Sequence, residues 1–188
     1  KMEFTSVNKI FEAAFKKHWD RPAISNYQGV TLHYRDVARR IEKLHIMFEE
    51  CGLKKGDKVA LCSRNQANWA VAFLASMTYG AVPVPLLHEF KSSNIHHLVN
   101  HSEAKILFVD DVIWEGLTET EMPDVHAIIQ VNTFKLLYAA EDCIRSAREH
   151  LNELFGRKYP NAFTPESINY YEDSAEELAI INYTSGTS

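Results

Sequence analysis

Cysteine, glycine and proline are scarce in this 188-residue chain, at three, seven and six residues, and each scarcity excludes something. Cys51, Cys62 and Cys143 are odd in number and show neither CxxC nor metal-ligand spacing, so reduced thiols in a cytoplasmic setting are expected, with no disulfide. So little glycine and proline rules out collagen-like and low-complexity chains. Charge of one sign is also lacking: 20 Lys+Arg against 25 Asp+Glu leave a net charge of −5. The basic residues are scattered, which argues against nucleic acid as a partner. The opening KMEFTSVNKIFEAAF has no basic region followed by an apolar run and a small-residue cleavage site, so it does not read as a secretory signal. Residues 65–87 carry no charge, yet Asn65, Gln66, Asn68, Thr78 and Gly80 interrupt them, and Pro83 and Pro85 forbid one continuous helix. A buried helix followed by a buried strand is expected there, not a membrane span.

What remains is an ordinary globular composition, 46% hydrophobic and 24% charged, sufficient for one sizeable core. Val7, Ile10, Phe11, Ala14 and Phe15 fall on one face of a helix that Ser6 can cap. Residues 23–32 read as two short strands with a hairpin tip at Gln28-Gly29. Residues 34–50 carry Val37, Ala38, Ile41, Leu44 and Phe48 as a helical stripe, closed by Gly52. A turn at Gly56-Asp57, a strand at 58–62, a helix at 67–79 and a strand at 81–86 make a βαβ unit. A helix at 93–101 and strands at 105–109 and 125–131 continue the alternation. The expected fold is therefore α/β, a doubly wound and mostly parallel sheet with helices on both faces. Residues 141–155 read as one long amphipathic helix, 156–174 as a loop where an insertion or hinge would most easily sit, and 178–183 as a buried strand.

The last five residues, Thr184, Ser185, Gly186, Thr187 and Ser188, follow that strand directly. Small hydroxyl residues around a glycine can turn backbone N–H and side-chain O–H groups toward one point, which suits phosphate oxygens. The GxxxxGK[ST] pattern is absent, and composition alone favours a solvated tail. The residues at 183–188, YTSGTS, resemble the opening of the signature loop of the adenylate-forming superfamily, which includes acyl-CoA synthetases, luciferases and peptide-synthetase adenylation domains. Further matches stand upstream in the same order: TLHYRD at 31–36, GLKKGDKVAL at 52–61, Asn65, AFLA at 72–75 and GAVPVP at 80–85. The resemblance covers nearly the whole chain. Its upstream matches have structural reasons of their own, so the terminal loop is the part specific to function. Among the branches, the chain is most similar to bacterial long-chain fatty acid:CoA ligases, although Leu86-Leu87-His88 departs from the Asn-Pro turn of many relatives.

The resemblance implies a two-step reaction. A carboxylate attacks the α-phosphorus of ATP, pyrophosphate leaves, and a thiol such as CoA captures the acyl-adenylate, with Mg²⁺ assisting. Thr184, Ser185, Gly186, Thr187 and Ser188 would hold the β- and γ-phosphates. The family's adenine and acyl pockets, magnesium-binding glutamate, ribose-binding aspartate and catalytic lysine would lie beyond Ser188. Residues 1–188 are thus expected to form the N-terminal portion of an AMP-binding domain, without catalytic residues or acyl-CoA synthesis of its own. An adenylating enzyme for an aryl or amino acid, or a non-catalytic α/β binding module, are the rival readings.

Other candidates carry less. His97 and His101 stand at i, i+4 beside His96, but no carboxylate sits at a useful spacing, so surface histidines are expected and no metal site. Asp110-Asp111 ends a strand where α/β proteins place ligands, and helix capping is the expected role. Arg145, Arg148, Arg157 and Lys158 give the 141–155 region a route to peripheral membrane contact, diluted by Glu141, Asp142, Glu149 and Glu153. Packing of its apolar stripe on the domain is the plainer expectation. Trp19, Trp69 and Trp114 are scattered and expected as core or half-buried aromatics. A sheet that stops after its phosphate loop would leave an unpaired edge, a route to self-association.

Overall fold

The computed structural model describes residues 5–25, 29–64, 66–174 and 176–177. Gln28 of the expected hairpin tip, Asn65 and the expected strand at 178–183 lie outside the described residues. Helix α1 (Val7–Lys17) opens on Ser6, whose Oγ accepts the Lys9 N–H at 3.2 Å. Strands β1 (Pro22–Ser25) and β2 (Thr31–His33) pair antiparallel. Helix α2 (Tyr34–Glu50) starts in a capping box, with Asp36 Oδ2 accepting the His33 N–H at 2.9 Å. It ends before Gly52, at a φ of 71°.

Strand β3 (Lys58–Cys62), helix α3 (Ala67–Tyr79) and strand β4 (Val82–Pro85) form the expected βαβ unit. Helix α4 (Ser92–Ser102), strand β5 (Ile106–Val109), helix α5 (Asp111–Gly116) and strand β6 (Ala127–Gln130) follow. Strand β7 (Leu136–Ala139) and helices α6 (Asp142–Glu149) and α7 (Leu151–Lys158) complete the regular elements. The five-stranded sheet has the order β4-β3-β5-β6-β7. All its pairs are parallel except β6 with β7.

Strict alternation along the strands divides the core into two layers, because successive side chains point to opposite faces. Val59, Leu61, Ile106, Phe108, Ala127 and Ile129 meet α2, α3, α6 and α7. Ala60, Cys62, Leu107, Val109 and Ile128 meet α4 and the connection before β6. Both faces are therefore apolar, as in a sheet covered on each side. The α/β, doubly wound, mostly parallel architecture expected from the pattern is the one observed.

Three local expectations change. Strand β7 turns back on β6 through a hairpin, in a stretch where the sequence pattern shows no strand. Four apolar residues are too few to show a period. The helix at 141–155 is two helices that meet at His150 (φ −103°, ψ 22°). Ile144, Ala147, Leu151 and Phe155 remain buried on one side, so the stripe survives the break and hides it. The third change concerns 156–174. Helix α7 runs on to Lys158, the rest is loop as expected apart from a 3-10 turn at Pro165–Ser167, and Ile168 and Tyr170 are buried in the core, so the loop packs as a strap. It is tied to α1 and α3: Tyr170 N–H donates to Glu12 Oε1 (2.7 Å), Tyr171 N–H to Thr78 O (3.0 Å), and Asn8 Nδ2 to Tyr171 O (2.9 Å). Asp173 Oδ1 accepts from the Asn8 N–H at 3.0 Å.

These contacts govern the protonation of the groups beneath the strap. Burial pushes the Glu12 carboxyl up, but the Tyr170 N–H, Lys9 and Lys16 outweigh it and hold it below its ordinary value. Glu42 is buried on α2, where it accepts from Tyr159 Oη at 2.5 Å and pairs with Lys158 Nζ at 3.5 Å. Its Oε1 lies 3.7 Å from His45 Nδ1. Burial, helped by the charges of Lys158 and Lys55, lowers His45 to about 3 against the opposing pull of the Ala75 carbonyl. The ring is thus neutral, and its Nε2 lies 3.0 Å from both Ala75 O and Thr78 Oγ1.

Two predictions follow from this packing. A histidine with a folded pKa near 3 and an ordinary value of 6.5 refuses a proton that the unfolded chain accepts. Its contribution is complete above the ordinary value and is lost as pH falls toward the folded one, with a slope of about 1.4 kcal/mol per pH unit. Urea midpoints measured across that window are expected to fall with acidification and to fall less steeply in His45→Gln; an equal slope in the variant would refute this. The other concerns Gly80, which ends α3 at φ +94°. A Cβ there would stand 2.8 Å from Lys55 Cδ and 3.0 Å from the Tyr171 ring. Gly80→Ala is expected to destabilise by about 1–3 kcal/mol. Gly52→Ala, strained in φ but with nothing within 4 Å, is expected to cost less in the same denaturation assay.

Candidate functional site at the carboxyl edge of the sheet

In an open parallel sheet the ligand crevice lies beyond the carboxyl ends of the strands, where the chain order reverses. The chain leaves β3 toward β4 over one face and returns from β4 to β5 over the other. The reversal therefore falls between β3 and β5, and Ser63, Arg64, Asp110 and Asp111 stand at its mouth. Asp110 Oδ1 accepts the Ile113 N–H at 2.9 Å and caps α5, the role expected of it. Asp111 Oδ1 accepts from Gln130 Nε2 at 2.5 Å, and Thr133 Oγ1 donates to Gln130 Oε1 at 2.6 Å. The crevice acids are therefore engaged in holding the edge together.

Next to this edge, Asn68 at the start of α3 accepts from Arg40 of α2. Its Nδ2 donates to Asn132 O, just past β6, at 2.6 Å. One buried amide thus ties α2, α3 and the β6 end into one surface. The sequence marks Asn68 only as an interruption of an apolar run and gives Gln130 no role, although a buried amide needs partners. Cys62 ends β3 with its Sγ–H 3.5 Å from Leu87 O. Burial, then the charges of Asp110 and Glu89, pushes its thiol up to about 12, so it offers no thiolate nucleophile at neutral pH.

His96 Nε2 accepts the Thr118 N–H at 3.0 Å, and the His97 and His101 rings lie 5.9 Å apart. Among the described residues no group of three or more His, Cys, Asp or Glu side chains could hold a metal ion. Arg145 donates to Ala139 O at 3.0 Å and Arg148 to Phe134 O at 2.8 Å. With Lys158 on Glu42, three of the four basic groups in that region hold the domain together. Among the described residues no helix is long and apolar enough to cross a membrane. Trp69 stacks on Phe73 at 5.4 Å, Trp19 tilts against Phe163 at 5.5 Å, and Trp114 packs on the α4 side of the sheet. The expected phosphate loop, Thr184 to Ser188, lies outside the described residues.

The AMP-binding enzyme family matches residues 11–188, and the chain belongs to that family. It is 24% identical to a long-chain-fatty-acid–CoA ligase of Salmonella typhimurium, over 98% of this chain and 35% of that protein. It is 26% identical to acetyl-coenzyme A synthetase 2 of Candida albicans, over 97% of this chain and 28% of the relative. Among solved structures, the NpsA-ThdA adenylation–PCP di-domain from Klebsiella oxytoca matches with a TM-score of 0.67 and 23% identity, over 98% of this chain and 29% of that one. The anthranilate CoA ligase AuaEII matches at 0.65 and 16%, over 77% of this chain and 28% of that one. These likenesses place the fold among adenylation domains, as the α/β reading anticipated. The chain spans about a third or less of the length of these relatives.

The thiols give a direct check on the edge. Cys51 and Cys62 are buried and Cys143 is exposed, and burial pushes Cys51 up to about 12 as well. Iodoacetamide at mildly alkaline pH is expected to modify Cys143 in the native chain and all three thiols only after unfolding, read by mass spectrometry. Rapid labelling of Cys62 in the folded chain would contradict the closed edge.

Proposed function

We propose that residues 1–188 are the N-terminal portion of the AMP-binding domain of an ATP-dependent, AMP-forming acyl-CoA synthetase whose acid is a long-chain fatty acid. The observation that carries this reading is the family match, which runs through the YTSGTS residues to Ser188. The long-chain assignment draws on the sequence resemblance and on the Salmonella ligase, matched over 98% of the chain. In the proposed reaction a carboxylate oxygen bonds to the α-phosphorus of ATP as the bond to the β-phosphate oxygen breaks and pyrophosphate departs. The CoA thiol then attacks the acyl carbon, the thioester forms and AMP leaves.

Charge accumulates on the departing pyrophosphate, so donors around its oxygens stabilise the transition state more than the ground state. Thr184, Ser185, Gly186, Thr187 and Ser188 supply backbone N–H and hydroxyl donors for that task. Mg²⁺ would add charge neutralisation on the phosphates. The described residues form no cluster suited to it, and no step here is routed through the ion. The same reading has a cytoplasmic enzyme with acid, ATP and CoA as its small-molecule partners.

Acid-dependent ATP–pyrophosphate exchange, measured on the protein encoded by the complete reading frame around this chain, tests the proposal. Palmitate is expected to support exchange better than benzoate or acetate, and Thr184→Val to lower the rate about a hundredfold. A preference for benzoate would overturn the fatty-acid assignment. The 188-residue chain alone is expected to form no palmitoyl-CoA from ATP, CoA and palmitate; product from it would overturn the division of the domain.

A further inference from the structure

We propose that the cleft between α2, the loop after β6 and helices α6 and α7 binds a small phosphate monoester that carries an apolar group. The cleft has a volume of about 440 Å³, with Arg40 and Lys43 supplied by α2 and Arg148 by α6. Every hydrogen-bond acceptor these three cations have among the described residues is neutral. Arg40 donates to the Asn68 amide, Lys43 Nζ to Asn152 Oδ1 at 2.9 Å, and Arg148 to Phe134 O at 2.8 Å and Thr133 O at 3.5 Å. None of the three forms an ion pair among the described residues. The acid whose charge reaches Arg40 is Asp36, one turn earlier on α2, and its carboxylate already holds the His33 N–H.

The cations feel one another across the cleft. Burial lowers the Lys43 ammonium below its ordinary value, and the charges of Arg39, Arg148 and Arg40 lower it further. Arg39 lies over the Phe155 ring at 5.3 Å, and Lys43 Nζ stands over the same ring at 5.5 Å. Like charges gathered in a concave, half-enclosed surface focus a positive potential that a counter-anion relieves. A phosphate monoester brings about −1.5 to −2 charges at neutral pH and three acceptor oxygens, more than one carboxylate supplies. Two guanidinium forks and one ammonium suit that geometry. Beneath them lie Leu44, Met47 and Ile129, so the esterified group meets hydrocarbon. This cleft is built from residues 40–152 and is separate in sequence from the proposed phosphate loop.

Phenyl phosphate is the probe, titrated into the 188-residue chain and followed through the NMR side-chain signals of Arg40 and Arg148. Saturable binding is expected, weakened about tenfold in Lys43→Glu and less in Lys43→Gln. Lys43→Glu is also expected to raise the urea midpoint of the ligand-free chain at low salt, because it removes one like charge and adds an opposite one. Thr184→Val is expected to leave the affinity unchanged, which separates this cleft from the phosphate loop and from the function proposed on it. Absence of saturable binding, equal affinity in Lys43→Glu, loss of binding in Thr184→Val, or benzoate binding as tightly as phenyl phosphate would each overturn the assignment.

Discussion

The Glu42 carboxylate is carried by α2 into the layer between the sheet and the strap, beside Ile41, His45 and Tyr170, where an uncompensated charge would cost several kcal/mol. Its neutralisation therefore constrains everything that covers α2. The Tyr159 hydroxyl and the Lys158 ammonium reach it from the end of α7, so that helix must finish over α2. Once Tyr159 is fixed, it packs against Phe155 and Phe163, and the chain continues into the strap with Ile168 and Tyr170 inward. The strap in turn closes on Glu12 of α1 and on the carbonyl of Thr78 near the end of α3. One buried acid thus links the N-terminal helix, the central helices and the segment that leads to the chain's last residues.

The regular core was legible because its periods are long. Seventeen residues of α2 and thirteen of α3 repeat their apolar stripe or run often enough to exclude a strand, and β3 is bounded by a Gly-Asp turn. Elements set by one or two contacts were not legible. The turn of β7 onto β6 depends on pairing that four residues cannot announce, and the break at His150 leaves the stripe of α6 and α7 unchanged. The strap read as loop because its punctuation, Pro160, Asn161, Pro165 and Asn169, is that of a loop. What fixes it is hydrogen bonding to residues some 160 positions earlier, such as Glu12 and Asn8. Of the candidate site, the Asp110 cap could be read from its place at a strand end. The link made by Asn68 and Gln130 could not, since it joins elements that only the fold brings together.

Two polar surfaces meet at the carboxyl side of the sheet, and they differ in how their charge is balanced. At the β3–β5 crevice, Asp110 accepts from a helix amide and Asp111 from the Gln130 side chain, so these acids are engaged within the fold. Across the Asn68 amide, on the α2 side, the hydrogen-bond acceptors of Arg40, Lys43 and Arg148 among the described residues are amides and carbonyls. A neutral acceptor engages a donor without cancelling its charge, so the electrostatics there stays unbalanced. A chain selected for stability alone would gain from a carboxylate at position 152, within reach of Lys43, and it carries an asparagine instead. That unbalanced charge, on groups with N–H donors to spare, is the physical basis for assigning the cleft to an anion from outside the fold.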